Sequence, residues 1–274
     1  MRFFNNIIYP DRKPLHTADE YQKMSESELM NQYKTDIWGK LEKSEKICLV
    51  KETGDRYADQ IGIVNKPTFE EEHNNNYYGS YCHSRNEITF NYKTNSNPMQ
   101  ALNTIAHEEN HAFQYQCMMD RSVYTDKELE LLEKDASNYT DVGTAYDKQV
   151  MEIDSNNAGL EYVLQNKDAF IRDESFLPYI DERIDHFERI SDLTNNTFDV
   201  SNSIPSDSEL LRQQLYRIRG EVFGIRMEGT AVEERSDGLE FLYDDTGTAE
   251  QVMLENETMY EENTMNNDSM EQTV

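Results

Sequence analysis

The sequence has few cysteines, little positive charge and no long hydrophobic run, and each shortage removes a class of answer. The three cysteines, Cys48, Cys82 and Cys117, are odd in number, widely spaced and without a CxxC pair. They offer no disulfide framework and fit a reducing compartment or free buried thiols. Lysine and arginine number 26 against 54 aspartates and glutamates, a formal net charge of -28. Such an excess repels nucleic-acid phosphates and anionic membranes, so neither is an expected partner. No stretch approaches the roughly 20 apolar residues of a membrane span, and the opening MRFFNNIIYPDRKP has no apolar core of signal length. The expected location is cytoplasmic, with export by a route that reads no N-terminal signal left open. There is no glycine-rich phosphate loop, no GxSxG and no internal repeat.

The 274 residues suffice for one large domain with its own core. Hydrophobic residues make up only 36% of the chain, which points to a folded body with some solvated chain attached. The charge excess is uneven. From Glu228 to Val274 there are 14 acidic residues against the single Arg235, or -13. Residues 1–240 are therefore expected to form one α+β domain, and residues 241–274 an acidic, disordered tail.

Apolar periodicity predicts a helix over residues 17–45, through Tyr21, Met24, Met30, Tyr33, Ile37, Trp38 and Leu41. Cys48–Val50 and Ile61–Phe69 have strand character, and Asn86–Tyr92 (NEITFNY) alternates as a half-buried strand should. Asn97 and Pro98 then suit the N-cap and first turn of a helix running to about Met119. Thr125 and Glu128 form a capping box for a second helix. Further helices are expected over about 146–165, through Ile180, Ile184, Phe187 and Ile190, and from a Ser206–Glu209 capping box through Leu211, Leu215, Ile218, Val222 and Ile225. Helix, small sheet, then helices is an α+β order.

The helix that starts at Asn97 carries His107-Glu108-Glu109-Asn110-His111, an HExxH pattern. Two imidazoles four residues apart sit one turn apart on one helix face and can chelate one ion. Zinc suits two nitrogens and a carboxylate with an open position for water. Glu108, about 100° round the helix from His107, can reach that water as a general base. On a helical wheel Gln100, Asn103, Thr104 and Gln114 share the polar half with the motif. Ala101, Leu102, Ile105, Ala106, Ala112, Phe113 and Cys117 fill the opposite half.

This stretch resembles the zincin metallopeptidases, over roughly residues 60–165. In zincins an edge strand lies just before the metal helix and pairs with extended substrate; Asn86–Tyr92 stands in that place. In the gluzincin branch a downstream helix supplies a glutamate as third ligand. The best match here is YDKQVMEIDSNNAGLEYV, with Glu152 in the ligand position. Short domains of this kind occur among bacterial and phage-associated metallopeptidases, toxin-like ones included. The resemblance implies a zinc peptidase with Glu108 as catalytic base and His107, His111 and Glu152 as ligands, acting on a protein or peptide, with a toxin or effector role in view. Glu152 also has its own case, since Ser155, Asn156 and Gly159 share its face and are small or polar enough for close helix approach. Asp154, Glu161, Asp135 and Asp141 are rival ligands, and Asn156 or Asp154 can fix the tautomer of a metal-bound histidine. His83, Tyr77, Tyr78, Tyr92 and His186 are candidates for polarising a substrate carbonyl.

Two features cut across this reading. Many zincins have an uncharged residue where Glu109 stands, and Glu109 falls within the apolar arc, where a carboxylate must find a partner or stay protonated. The net charge supports an alternative: a non-catalytic interaction protein on a zincin scaffold, binding a basic partner through its acidic surface. Charge alone also suggests a nucleic-acid mimic. Because the tail has no sustained apolar period, it cannot offset the entropy of ordering itself. Deleting residues 245–274 should therefore leave the melting temperature and zinc content unchanged. A large drop in melting temperature would show that this segment packs on the body.

Overall fold

The computed structural model describes residues 15–71, 77–141, 143–195 and 210–224. The tail at 241–274, Ser206–Glu209, Ile225 and the side chain of Ile190 lie outside the described residues. The fold is α+β. Helices α1 (Ala18–Lys23), α2 (Glu26–Asn31), α3 (Thr35–Trp38) and α4 (Lys43–Ile61) precede strands β1 (Thr68–Glu71), β2 (Gly79–Cys82) and β3 (Glu87–Phe90). Then follow α5 (Pro98–Asp120), α6 (Asp126–Ser137), α7 (Gly143–Tyr146), α8 (Val150–Gln165), α9 (Phe176–Asn195) and a last helix, α10, over 210–224. No helix among the described residues is long and apolar enough to cross a membrane.

The region expected as one helix over 17–45 is three short ones and the start of a fourth. Capping boxes at Thr17–Glu20 and Ser25–Glu28 start α1 and α2, and extended backbone at Met24 separates them. The apolar stripe runs on across the breaks, with Tyr21, Leu29, Met30, Tyr33 and Trp38 all buried. Cys48–Val50, read as a strand, lies inside α4. A capping box of Glu42 and Glu45 starts that helix, and Gly62, at φ +86°, ends it in the left-handed conformation that suits glycine. Of the Ile61–Phe69 strand only Thr68 and Phe69 join β1.

The sheet has the order β1-β3-β2, parallel between β1 and β3 and antiparallel between β2 and β3. The strand expected at the edge, β3, is therefore central. It buries Ile88 and Phe90 on one face, as its alternation predicts. The edge lying against α5 is β2. Its sequence GSYC has no alternation to announce a strand.

Helix α5 is the axis of the molecule. Asn97 caps it by accepting from the Met99 N–H, with Pro98 in the first turn. Every residue from Pro98 to Ala112 is buried, polar half included. Its apolar half meets α4, and the crossing is close because Gly54 has no side chain: a Cβ there would lie 2.8 Å from Ile105 Cγ1 and 3.0 Å from Glu109 Oε1. Glu109 thus packs into the α4–α5 seam, where one carboxylate oxygen has no hydrogen-bond partner. Burial, with Asp55 adding repulsion and Lys66 opposing it, pushes its carboxyl up to about 8, so it sits in the seam as a neutral acid at neutral pH. The other half of α5 meets α8. In α8 the buried apolar residues are Met151, Leu160, Tyr162, Val163 and Leu164, while Val150 and Ile153 are only partly covered. In α9 and α10, Ile180, Ile184, Leu211, Leu215, Ile218 and Val222 are buried as the periodicity predicts.

The α5–α8 seam depends on Gly159, whose added Cβ would stand 2.6 Å from the backbone oxygen of Asn103. Helix propensity alone favours alanine over glycine by about 1 kcal/mol. Overpacking against backbone, which cannot swing aside, costs about 1–3 kcal/mol. Gly159→Ala should therefore lower the urea midpoint at unchanged slope. A midpoint at or above that of wild type would show that α5 and α8 do not meet closely at this residue.

Candidate metal centre

Where α5 crosses the first turns of α8, three side chains converge. His107 Nε2 and His111 Nε2 stand 3.1 Å apart. Glu152 places Oε2 at 3.3 Å from the first and Oε1 at 3.3 Å from the second. Glu108 joins them: ligand atoms of His107, Glu108 and His111 all lie within 4.8 Å of one another, and all three residues are buried. This cluster can hold a metal ion. Donors at about 2.0–2.1 Å from a tetrahedral zinc are about 3.3–3.4 Å apart, close to the spacings found. The donor set, two imidazoles and a carboxylate, is one that zinc accepts. Glu152 Oε2, moreover, is buried with no hydrogen bond to it. A cation at this point would satisfy that oxygen and the facing ring nitrogens together.

Electrostatics point the same way. Burial opposes the charge of Glu152, but the His111 and His107 imidazoles outweigh it and hold the carboxyl well below the usual range. Burial likewise opposes a cationic His111, and the Glu152 carboxylate overrides it and raises the imidazole. The carboxylate thus draws positive charge into a dry site, and a proton and a metal ion compete for that place. Glu108 is shifted upward by burial, against the pull of His107 and His111.

Of the rival carboxylates, none reaches the imidazole pair. Asp135 accepts from the backbone N–H groups of Val150 and Met151 and so holds the start of α8. Asp154 accepts from Asn110, Gln114 and Tyr124. Asp141 is exposed, and Glu161 lies on the exposed side of α8. Ser155 and Gly159 are buried against α5 as expected, while Asn156 is only partly covered. The tautomer-fixing contact expected from Asn156 or Asp154 is made instead by Gln114 Oε1, at 3.0 Å from His111 Nδ1, and by Ser155 Oγ at 3.1 Å. Gln114 was visible in the sequence as part of the polar half of α5. Tyr139 was not: its hydroxyl donates to Glu152 Oε1 at 2.8 Å from the loop after α6, and nothing local to its sequence signals that. Burial and the Glu152 charge push the Tyr139 and Tyr146 phenols up, so both remain donors.

On the other flank, β2 lies over Glu108. Gly79 permits this, since a Cβ there would be 2.9 Å from Thr104 Cγ2 and 3.2 Å from Glu108 Cγ. Asn91 N–H bonds to Tyr78 C=O, which sets the ladder phase: Ser80 and Cys82 turn their backbone groups to β3, and Gly79 and Tyr81 turn theirs to the outer edge, where no further strand pairs among the described residues. The Tyr81 N–H faces the Glu108 carboxylate and favours its ionised form. His83 stacks on Tyr115 at 4.0 Å, Tyr77 and Tyr78 are exposed, and the Tyr92 ring lies under the Lys43 ammonium. His186 lies on α9, where burial, Arg183, Arg189 and His107 bring it down to about 4 and leave it neutral.

Searches of protein-family models, of curated proteins and of solved structures gave no match to this chain. The site therefore rests on its own geometry. About one zinc per chain is expected after growth with zinc, measured by mass spectrometry, and none when His107 and His111 are both changed to alanine. Glu152→Ala should weaken zinc more than Asp154→Ala, for which the loss of an outer contact predicts about 10- to 100-fold. Equal zinc in wild type and the double variant, or a larger loss from Asp154→Ala, would overturn this assignment.

Proposed function

We propose that the protein is a zinc-dependent metallopeptidase in which His107, His111 and Glu152 hold the ion and Glu108 is the general base. The observation that carries this reading is the buried convergence of two Nε2 atoms and a carboxylate at 3.1–3.3 Å, with a second carboxylate beside them. Zinc, when bound, supplies Lewis acidity and lowers the pKa of water at its open position. Glu108 stands where it can take a proton from that water and return it to a leaving amine. Burial shifts its carboxyl upward, the direction that makes it a stronger proton acceptor. Tyr139, donating to Glu152, keeps the carboxylate of the third ligand in place and ionised.

Peptide, among hydrolysable substrates, is favoured by β2. Gly79 and Tyr81 turn their backbone groups to the outer edge of β2 beside Glu108, which the Tyr81 N–H faces. An extended chain adding there as a further strand would lay its amides across the site. The acidic surface, at net charge -28 for the chain, favours a basic substrate protein. It supports the non-catalytic alternative equally well, so the deciding experiment must separate chemistry from binding.

Glu108→Gln does so, since it keeps the shape of a buried side chain and removes the base. The variant should fold, bind zinc and lose about 100-fold or more of any proteolysis shown by wild type. Wild type and variant would be expressed in candidate host cells, and the proteomes compared for new N-termini. Growth inhibition, where wild type causes it, should vanish too. An unchanged set of new N-termini, or undiminished toxicity in the glutamine form, would end the peptidase reading in favour of the interaction protein.

A further inference from the structure

On the reading that His111 binds the metal, we propose that Gln114 and Asp154 are positioning residues that set its tautomer. Gln114 holds the His111 proton on Nδ1 and so aims the Nε2 lone pair at the metal position, while Asp154 locks the Gln114 amide.

The chain of contacts leaves one consistent assignment. Gln114 is wholly buried. One end of its amide lies 3.0 Å from the Met151 carbonyl oxygen and 2.7 Å from Asp154 Oδ2. Both of those atoms only accept, so this end must be the NH₂ group. The flipped amide would set its oxygen against a carbonyl and a carboxylate in a buried site, with no proton between the facing acceptors. The amide oxygen therefore faces His111 Nδ1 at 3.0 Å. An amide oxygen cannot donate, so Nδ1 carries the proton, and in the neutral ring Nε2 keeps its lone pair. That nitrogen is the one 3.1 Å from His107 Nε2 and 3.3 Å from Glu152 Oε1. Ser155 Oγ, 3.1 Å from Nδ1, fits the same tautomer because its oxygen can accept.

Asp154 is the fixed point behind this arrangement. Its Oδ2 collects Gln114 Nε2 at 2.7 Å, Tyr124 hydroxyl at 2.8 Å and Asn110 Nδ2 at 2.9 Å. Asn110 Nδ2 also reaches Ser155 Oγ at 3.2 Å. Four residues of α8, from Glu152 to Ser155, thus provide both a carboxylate to the metal position and the groups that orient the imidazole opposite. Gln114 itself comes from the motif helix, three residues after the histidine that it orients.

The test uses the full-length chain with ¹⁵N-labelled histidine, with and without zinc, and three variants. In wild type, long-range ¹H–¹⁵N correlation should show a proton held on Nδ1 of His111 in the metal-free protein, and coordination through Nε2 after zinc is added. In Gln114→Leu the protected Nδ1 proton should be lost and zinc affinity should fall about 10- to 100-fold, measured by chelator competition. Asp154→Asn should fall in the same direction by less. Gln116→Leu is the structural control. It gives up comparable bonds, to the Val64 N–H and the Gly62 carbonyl, without touching the site, and should keep both the proton signal and the affinity. The wild-type spectrum needs no variant to fold, and a bare Nδ1 or coordination through Nδ1 would overturn the proposal. So would wild-type zinc affinity in Gln114→Leu, or an equal loss in Gln116→Leu. If wild type binds no zinc, the metal reading fails, and the tautomer is then read in the metal-free protein above about pH 9, where His111 has lost its second proton: a proton kept on Nδ1 supports the assignment and one kept on Nε2 overturns it.

Discussion

Two imidazoles and a carboxylate occupy one dry volume between α5 and α8, and much of the surrounding structure serves to make that tolerable. An ionised carboxylate removed from water costs several kcal/mol unless it is compensated. Here the compensation is local and directional: ring nitrogens face both Glu152 oxygens, and the Tyr139 hydroxyl donates to one of them. Reaching this geometry requires two helix backbones to approach closely, which in turn requires Gly159 opposite Asn103. Ligand chemistry and helix packing are therefore the same constraint seen at two scales.

The back of α5 repeats the logic with a different solution. Gly54 makes room at the α4 crossing, and the group placed there is Glu109. This carboxyl has one oxygen without a donor, and it avoids the penalty of a buried charge by keeping its proton. Glu152 and Glu109 are both buried glutamates within reach of α5, yet they are driven in opposite directions, the first down by imidazoles and the second up by burial. A third glutamate, Glu108, immediately precedes Glu109 in sequence and meets the edge of β2. The three acids thus divide by what packs on them: the imidazoles hold Glu152 down, and burial raises Glu108 and Glu109.

Much of this was legible in the residues. Asn97–Pro98 and Thr125–Glu128 mark helix starts because capping chemistry is local. His107 and His111 declare a chelating pair through helical spacing alone. Glu152 could be singled out because its own helix face is small and polar. The failures have physical reasons as well. Periodicity joined α1 to α3 because the buried stripe continues through two breaks, of which the Ser25–Glu28 box marks only the first. Cys48–Val50 is too short an apolar run to tell strand from helix, and α4 decides it through Leu49, Val50, Thr53 and Tyr57 on one buried side. Strand β2 exists because β3 and α5 flank it, and its own four residues carry no pattern. Contacts such as Tyr139 with Glu152 are tertiary, and a chain read in one dimension contains no sign of them.

The two halves of the centre come from places far apart along the chain: His111 lies on α5, and Glu152, 41 residues later, on α8. An ion bound between them would close the intervening segment, with α6, α7 and Tyr139 inside it, into a ring. By the chain-entropy treatment of cross-links, a ring of that length removes unfolded-state freedom worth about 4 kcal/mol. The same ion that equips the site for chemistry would thus act as a removable staple. A chelator that removed such an ion would withdraw that stabilisation with it.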